Sequence, residues 1–174
     1  MFSVMYHIHL TLISYNSIII INKIDFIIVE EMLMRCAFFG HRDAPFEIRD
    51  KLKETVISLI EERDVTEFYV GNNGNFDRMA LSVLKELSGM YPQINYYVVY
   101  AYLPEEGEND FEHTIYPEGI ETSPKRFAID YRNRWIVGQA DIIVAYVRRS
   151  FGGAAKFVDM AERQGRTIIN LQLK

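Results

Sequence analysis

From Arg35 onward, short apolar runs alternate with segments in which apolar residues recur at helical spacing. The run RCAFFG, residues 35–40, is largely apolar and ends in glycine, as expected for a parallel strand buried on both faces. The helical segment that follows carries Leu52, Val56, Leu59 and Ile60 on one face. This alternation predicts an α/β fold, because parallel strands are joined by right-handed crossovers that usually contain a helix.

The alternation continues along the chain and predicts a Rossmann-like, three-layer sandwich around a mainly parallel sheet of about five strands. The predicted strands comprise residues 35–40, 66–70, 94–103, 141–147 and 167–171. The predicted helices comprise residues 44–63, 75–88, 124–140 and 152–164, with Ser123 as the N-cap of the third helix. The acidic stretch 104–122 is predicted to be a long loop, and its suggested roles are those of a lid or a partner surface.

Composition narrows the class of protein. The chain has 174 residues, which is the length of one domain, with 49% hydrophobic and 25% charged residues. Its net charge of −5 and its lack of a basic run argue against nucleic acid as a partner. The single Cys36, inside an apolar strand, favours a cytoplasmic protein over a secreted disulfide scaffold.

The N-terminal stretch differs from the rest. Residues 1–22 carry no formal charge, yet they are too polar for a membrane helix and lack the features of a secretory signal. The codons for residues 29–31 can form a bacterial ribosome-binding sequence just upstream of Met34. We therefore expect Met34, or else Met32, to be the native start. Residues 1–33 are then translated leader or a disordered extension, the alternative being a genuine element at the domain edge, and residues 34–174 form the ligand-binding domain.

In open parallel sheets, ligands bind beyond the carboxyl ends of the strands, where the strand order reverses. The loops after the first, second and fourth predicted strands therefore carry the candidate site. They read GHRD, GNNGNFD and RRSFGGAAK, and each combines glycine with polar side chains. The sequence shows no metal-ligand spacing, no P-loop and no serine nucleophile elbow, so we expect neither a metal nor a cofactor apart from a nucleotide-like ligand.

The segment RRSFGGAAK is the best candidate for a phosphate site. Gly152 and Gly153 lead into a helix, whose unpaired amides and dipole attract anions. Arg148, Arg149 and Lys156 add positive charge nearby. The alternative is a tight strand-to-helix turn with solvated arginines.

The segment GNNGNFD suggests a different role. Gly71 and Gly74 permit a tight turn, and Asn75 is a good N-cap. Asp77 falls in the first turn of the helix, where its carboxylate would repel a phosphate but accept hydrogen bonds from ribose hydroxyls or a base amine. The alternative is an ordinary helix cap in which Asp77 only favours the helix dipole.

The third predicted helix places Arg132 among apolar neighbours at helical spacing, namely Ala128, Ile129, Trp135 and Ile136. An arginine in an apolar face is expected to be paired or to face a cleft. Asp77, Asp159 or a ligand would receive it, unless the side chain snorkels to solvent. His41 and Arg42 end the first strand, where a structural hydrogen-bonding role and a role in the site are equally open.

Together, FFGHRD, FYVGNNGNFDRMAL, TIYPEGIE, PKRFAIDYRNRWIV and FGGAAKFVDMA resemble the SLOG superfamily, in particular its YpsA-like branch. The resemblance extends from Met34 to Leu171. It implies a Rossmann-like fold that binds nucleotides or nucleotide-derived ligands and is compatible with a homo-oligomer. The superfamily also includes the LONELY GUY phosphoribohydrolases and DNA-processing protein A.

The resemblance and the loop positions together define the expected ligand contacts: Gly40, His41, Arg42, Gly71, Asn72, Gly74, Asp77, Arg132, Asn133, Gly152, Gly153 and Ala154. The LONELY GUY enzymes carry a Gly-Gly-x-Gly-Thr-x-x-Glu signature. Here residues 152–159 read GGAAKFVD, so the Gly-Thr pair is missing and Asp159 replaces the glutamate.

These observations favour a cytoplasmic protein that senses or sequesters a nucleotide-derived small molecule. The first alternative is an enzyme that cleaves a nucleotide N-glycosidic bond, in which Asp159 or Asp77 stabilises the transition state and Arg132 orients the substrate. The second is a module that binds single-stranded DNA.

Overall fold

A computed structural model describes residues 33–102 and 113–172, and the fold presented here belongs to the unit that begins at Met34. The sheet contains β1 Met34–Gly40, β2 Val65–Val70, β3 Asn95–Val99, β4 Thr114–Ile115, β5 Ile142–Tyr146 and β6 Thr167–Asn170. The helices are α1 Arg49–Arg63, α2 Asn75–Ser88, α3 Lys125–Gln139 and α4 Gly153–Arg163. Short 3₁₀ segments at Phe46–Ile48 and Ile120–Thr122 precede α1 and α3.

The strands form one parallel sheet in the order β4-β3-β2-β1-β5-β6. Helices α1 and α2 cover one face and α3 and α4 the other, so two apolar cores lie on either side of the sheet. The predicted three-layer, Rossmann-like architecture is confirmed. The strand order reverses between β1 and β5, which fixes the place where a ligand crevice is expected.

Burial explains why the apolar runs predicted the fold. Cys36, Ala37 and Phe38 of β1 are fully or almost fully buried, and so is the whole of β5. A strand packed on both faces needs apolar side chains at every position, so it has no alternation of polar and apolar residues. The apolar faces predicted for the first two helices are likewise buried in α1 and α2.

The sheet has six strands rather than about five. The additional strand β4 lies within the stretch predicted to be a loop, where the Val98 amide donates to the His113 carbonyl and the Tyr100 amide to the Ile115 carbonyl. With two residues, β4 is too short to produce a recognisable pattern. The remainder of the predicted loop up to residue 112 lies outside the described residues, as do residue 103 at the end of the predicted third strand and the expectation for residues 1–32.

Two predicted helix caps are wrong. Pro124, not Ser123, occupies the N-cap position of α3, because Pro124 keeps an extended backbone and the helix begins one residue later. Gly74, not Asn75, caps α2. The Asn75 side chain instead donates to the Ala44 carbonyl and accepts from Arg78, which ties α2 to the loop after β1.

Candidate functional site

A pocket of about 400 Å³ lies at the carboxyl ends of β1, β2 and β5, at the reversal of strand order. Helix α3 contributes its other wall. The structure brings many of the predicted ligand residues together here: Gly40, His41, Arg42, Gly71, Asp77, Arg132, Asn133, Gly153 and Ala154. The volume is within the range of roughly 300–1,000 Å³ that is typical of small-molecule sites.

The start of α4 forms one side of this pocket. Gly152 occupies the N-cap position with φ 100° and ψ 176°, a backbone conformation that L side chains rarely adopt. No side-chain group caps the helix, and its first turn contains no acidic residue. The amides of Gly153 and Ala154 therefore remain available to an anion, and the helix dipole favours negative charge at this point.

The start of α2 lies across the pocket and is arranged differently. The Asn75 amide donates to the Arg42 carbonyl, and the Asp77 carboxylate accepts a 2.9 Å hydrogen bond from the Asn73 amide. Asp77 is only 8% exposed. The amides of Asn73 and Asn75 at this helix start therefore already have acceptors in the protein, and one of these acceptors is the Asp77 carboxylate.

The protonation of Asp77 is unusual for an aspartate. Burial raises the pKa of its carboxyl from 3.8 to about 6, although the Asn73 amide and the charges of Arg132 and Arg42 oppose the shift. A buried carboxyl with a strongly raised pKa in a cleft is a common property of functional sites. At neutral pH its ionised oxygens can accept hydrogen bonds from hydroxyl or amine groups of a ligand.

Arg132 reaches the pocket from the middle of α3 and is only 2% exposed. Its Nη1 donates a 2.9 Å hydrogen bond to the Val99 carbonyl at the end of β3, while its Nε has no hydrogen-bond partner in the protein. Burial lowers the pKa of the guanidinium and the Asp77 carboxylate raises it, but an arginine in a protein remains charged. Of the partners expected for this arginine, the structure places Asp77 in the same pocket, where its charge acts on the guanidinium, and places Asp159 elsewhere.

Gly71 lets these two charged groups approach each other. A Cβ atom at this position would collide with Arg132 Nη1 and with Asp77 Oδ2. The glycine at the end of β2 is therefore required by close side-chain approach. Any larger residue would force the buried Arg132 and Asp77 apart.

His41 holds two loops together. Its Nε2 accepts hydrogen bonds from the Arg148 amide at 3.0 Å and the Arg149 amide at 3.4 Å. Burial, followed by the charge of Arg149, lowers the pKa of the imidazole, which favours the neutral form that this acceptor role needs. His41 thus lines the pocket and also positions the loop that leads to Gly153.

Several pocket residues were not predicted: Phe38, Phe39, Asp43, Asn73, Ile129, Ile136 and Arg149, the last considered only as nearby charge. Arg149 donates through Nη2 to both carboxylate oxygens of Asp43, at 3.0 and 3.1 Å, so this loop cation is already paired. Asp43 and Asn73 lie within the loops GHRD and GNNGNFD, so inspection of every polar loop residue would have found them. The apolar residues of the lining lie in segments whose pattern predicts burial, so the sequence does not distinguish them from core residues.

Other predicted residues lie outside this pocket. Asn72 is exposed and accepts from the Asn73 side chain, and Gly74 packs against Arg42. Gly152 and Asp159 line a second pocket of about 460 Å³ on the outer side of α4. The structure therefore does not place Asp159 beside Arg132, the pairing considered for catalysis.

Two negative findings apply to residues 33–102 and 113–172. No group of three or more His, Cys, Asp or Glu side chains there is placed to hold a metal ion. Within the same residues, no helix combines the length and apolar character needed to cross a bilayer.

Comparison with known proteins identifies the fold. No protein-family model and no curated protein matches the sequence. The X-ray structure of DNA processing protein A from Streptococcus pneumoniae matches with a TM-score of 0.55 and 15% sequence identity, over 79% of this chain and 50% of that one. The two proteins share a Rossmann-like fold. The chain spans half of that protein, and at this identity the likeness concerns the fold alone.

Proposed function

We propose that this protein binds a nucleotide or nucleotide-derived small molecule and acts in sensing or sequestering it, as a member of the YpsA-like branch of the SLOG superfamily. One observation supports the proposal above the others. The uncapped, acid-free start of α4 lines the same pocket as the buried Asp77 and Arg132. A ligand with an anionic end and a hydroxyl-bearing end is complementary to this arrangement.

The proposed pose follows from charge. The phosphate lies against the amides of Gly153 and Ala154, where the helix dipole attracts it. Asp77 accepts hydrogen bonds from sugar hydroxyls or a base amine. Arg132 donates through its unpartnered Nε to an acceptor in the pocket, since an unpaired buried donor is unfavourable.

A hydrolytic function is a second candidate, and it now rests on Asp77 instead of Asp159. Asp77 lines the pocket beside Arg132, and its pKa near 6 would let the carboxyl exchange a proton close to neutral pH. Asp159 lines the other pocket. Release of free base from a nucleotide, lost in Asp77→Asn, would identify this activity.

The test is a thermal-shift screen of the full chain with mononucleotides, NAD, ADP-ribose, cyclic dinucleotides and a single-stranded oligonucleotide, followed by chromatography of each mixture. We expect at least one small nucleotide to raise the melting temperature, by roughly 5 °C or more at saturation, and to be recovered intact. A response to the oligonucleotide alone would favour the DNA-binding alternative.

Gly153→Asp tests the phosphate position. A Cβ at Gly153 meets no atom within 4 Å, and an acidic residue in the first turn of a helix is favourable. We therefore expect an unchanged or slightly raised melting temperature together with loss of the ligand-induced shift.

Gly138→Asp is the matched control. It adds the same charge at an open position in the last turn of α3. This position is close to Arg166, which precedes β6 at the amino ends of the strands, away from the pocket. It should keep the ligand response. An undiminished ligand shift in Gly153→Asp would contradict the proposed phosphate position, and the absence of any responding nucleotide would contradict the function itself.

A further inference from the structure

The two pockets near α4 share one loop. Arg149, Gly153 and Ala154 line the first pocket, whereas Ser150 to Gly152 and Lys156 line the second. The Gly152–Gly153 turn therefore forms the boundary between them. A ligand that binds the amides at this turn lies at the mouth of both pockets.

The turn presents no side chain where a ligand would cross. A Cβ at Gly152 or at Gly153 would meet no atom within 4 Å. Residue 152 needs to be glycine because its φ is positive. At residue 153, neither the backbone angle of Gly153 nor the neighbouring atoms require a glycine. An unobstructed path over the turn accounts for a glycine that the fold does not need.

The second pocket has groups that suit an aromatic and partly anionic ligand. Phe151 is 69% exposed, and the Arg149 guanidinium lies 5.9 Å from its ring centroid. Arg163 adds positive charge, as does Lys156, which is paired with Asp130, and Asp159 adds an acceptor that can bind a base or sugar. An exposed aromatic ring beside cations is the arrangement on which nucleic-acid bases stack.

The first pocket provides an independent sign of a ligand. Arg132 is 2% exposed, lines this pocket and keeps an unpartnered Nε. The volumes of the two pockets, about 400 and 460 Å³, are similar. Each is in the range that accommodates a small ligand or a comparable part of a larger one.

We propose that the ligand is a dinucleotide whose phosphate bridge crosses the Gly152–Gly153 turn, with one nucleoside in each pocket and the second base stacked on Phe151. This inference rests on the proposed function and specifies its ligand class. It assigns a binding role to the second pocket, in which Asp159 contacts the second nucleoside and takes no part in bond cleavage.

The test compares ADP with diadenosine diphosphate in calorimetric titrations of the full chain. The two probes share one nucleoside and the diphosphate. ADP carries about one negative charge more, which favours ADP at an anion site, so tighter binding of diadenosine diphosphate reports the second nucleoside. We expect diadenosine diphosphate to bind about tenfold more tightly, the usual scale for stacking one base on an aromatic side chain.

Phe151→Ala should remove that advantage while leaving ADP binding unchanged. Phe127→Ala is the matched control, because Phe127 is also exposed, has the Arg126 guanidinium 4.6 Å from its ring centroid, and lines neither pocket. It should leave both affinities unchanged.

Equal affinities for the two probes, or equal losses for both in Phe151→Ala, would overturn the dinucleotide inference while leaving the proposed function standing. Two other results would overturn the proposed function together with its phosphate site. If Gly153→Asp leaves the binding of both probes unchanged, or if neither probe binds, the phosphate site is wrong, and the dinucleotide inference falls with it.

Discussion

Helices α2 and α4 begin with almost the same backbone conformation, yet the surroundings of their first turns differ chemically. Their N-cap glycines have φ 114° and ψ −179° at Gly74, and φ 100° and ψ 176° at Gly152. Around Gly74 the space is filled, since a Cβ there would lie 2.8 Å from the Arg42 Cα. Around Gly152 it is open. The start of α2 also carries Asp77 in its first turn, whereas α4 has no acid there.

The difference shows how one local structure can serve two purposes. At α2 the protein supplies its own anion, and the Asn73 and Asn75 amides already have acceptors. At α4 the Gly153 amide, which occupies the position of Asn75, is left for an external anion together with the next amide, that of Ala154. Sequence pattern alone marks both loops as glycine-rich helix starts, and only the neighbouring atoms distinguish the filled start from the open one.

The largest expected effect separates the two glycines. Gly152→Ala should lower the free energy of unfolding by about 1–3 kcal/mol, because alanine is strained at this positive φ. Gly74→Ala adds the collision with the Arg42 backbone and should lose about 1–3 kcal/mol more. Urea unfolding of both variants measures the difference. Equal losses would mean that the two helix starts are equally open, contrary to the comparison.

A smaller effect concerns the anion that fills the start of α2. The unfolded Asp77 carboxyl ionises near 3.8, whereas the folded one stays protonated up to about pH 6, so the folded state binds more protons in that interval. The free energy of unfolding should therefore fall as pH rises from 3.8 to about 6. Asp77→Asn removes this ionisation and should be more stable than the parent above pH 6, by roughly 1–3 kcal/mol.

Unfolding curves at several pH values test this effect. The stability gain of Asp77→Asn should shrink as the pH falls below the folded pKa and disappear below the unfolded one. A gain that is the same at every pH would show that Asp77 titrates normally and is not a buried, ionised group at neutral pH. Ser82→Asn, on the same helix, controls for the introduction of an amide.

The fold could be predicted because burial dictates residue type in β1 and β5, and amphipathic spacing marks α1 and α2. The edge strand β4 could not, since two residues carry no periodicity and their pairing depends on β3. The caps of α2 and α3 differ by one position from the predicted ones, because the adjacent Gly74 and Pro124 backbone conformations decide where each helix begins. Such conformations depend on tertiary contacts.

The candidate site was predictable in part. Arg132 and Asp77 were found because charged residues in apolar or helix-start positions conflict with the local pattern, and the structure buries both. Asp159 was tied to the wrong pocket, because it lies five residues after Ala154, about 1.4 helical turns, and therefore faces a different side of α4. The pairing of Arg149 with Asp43 joins two loops distant in sequence, which no local pattern records.

The most direct test of the central claim is an NMR titration of the full chain with inorganic pyrophosphate, observing backbone amides. We expect saturable shifts of the Gly153 and Ala154 resonances that exceed those of Asn73 and Asn75, because the start of α4 is open and that of α2 already has acceptors. Shifts centred on Asn73 and Asn75, or no saturable shift at Gly153 and Ala154, would contradict it.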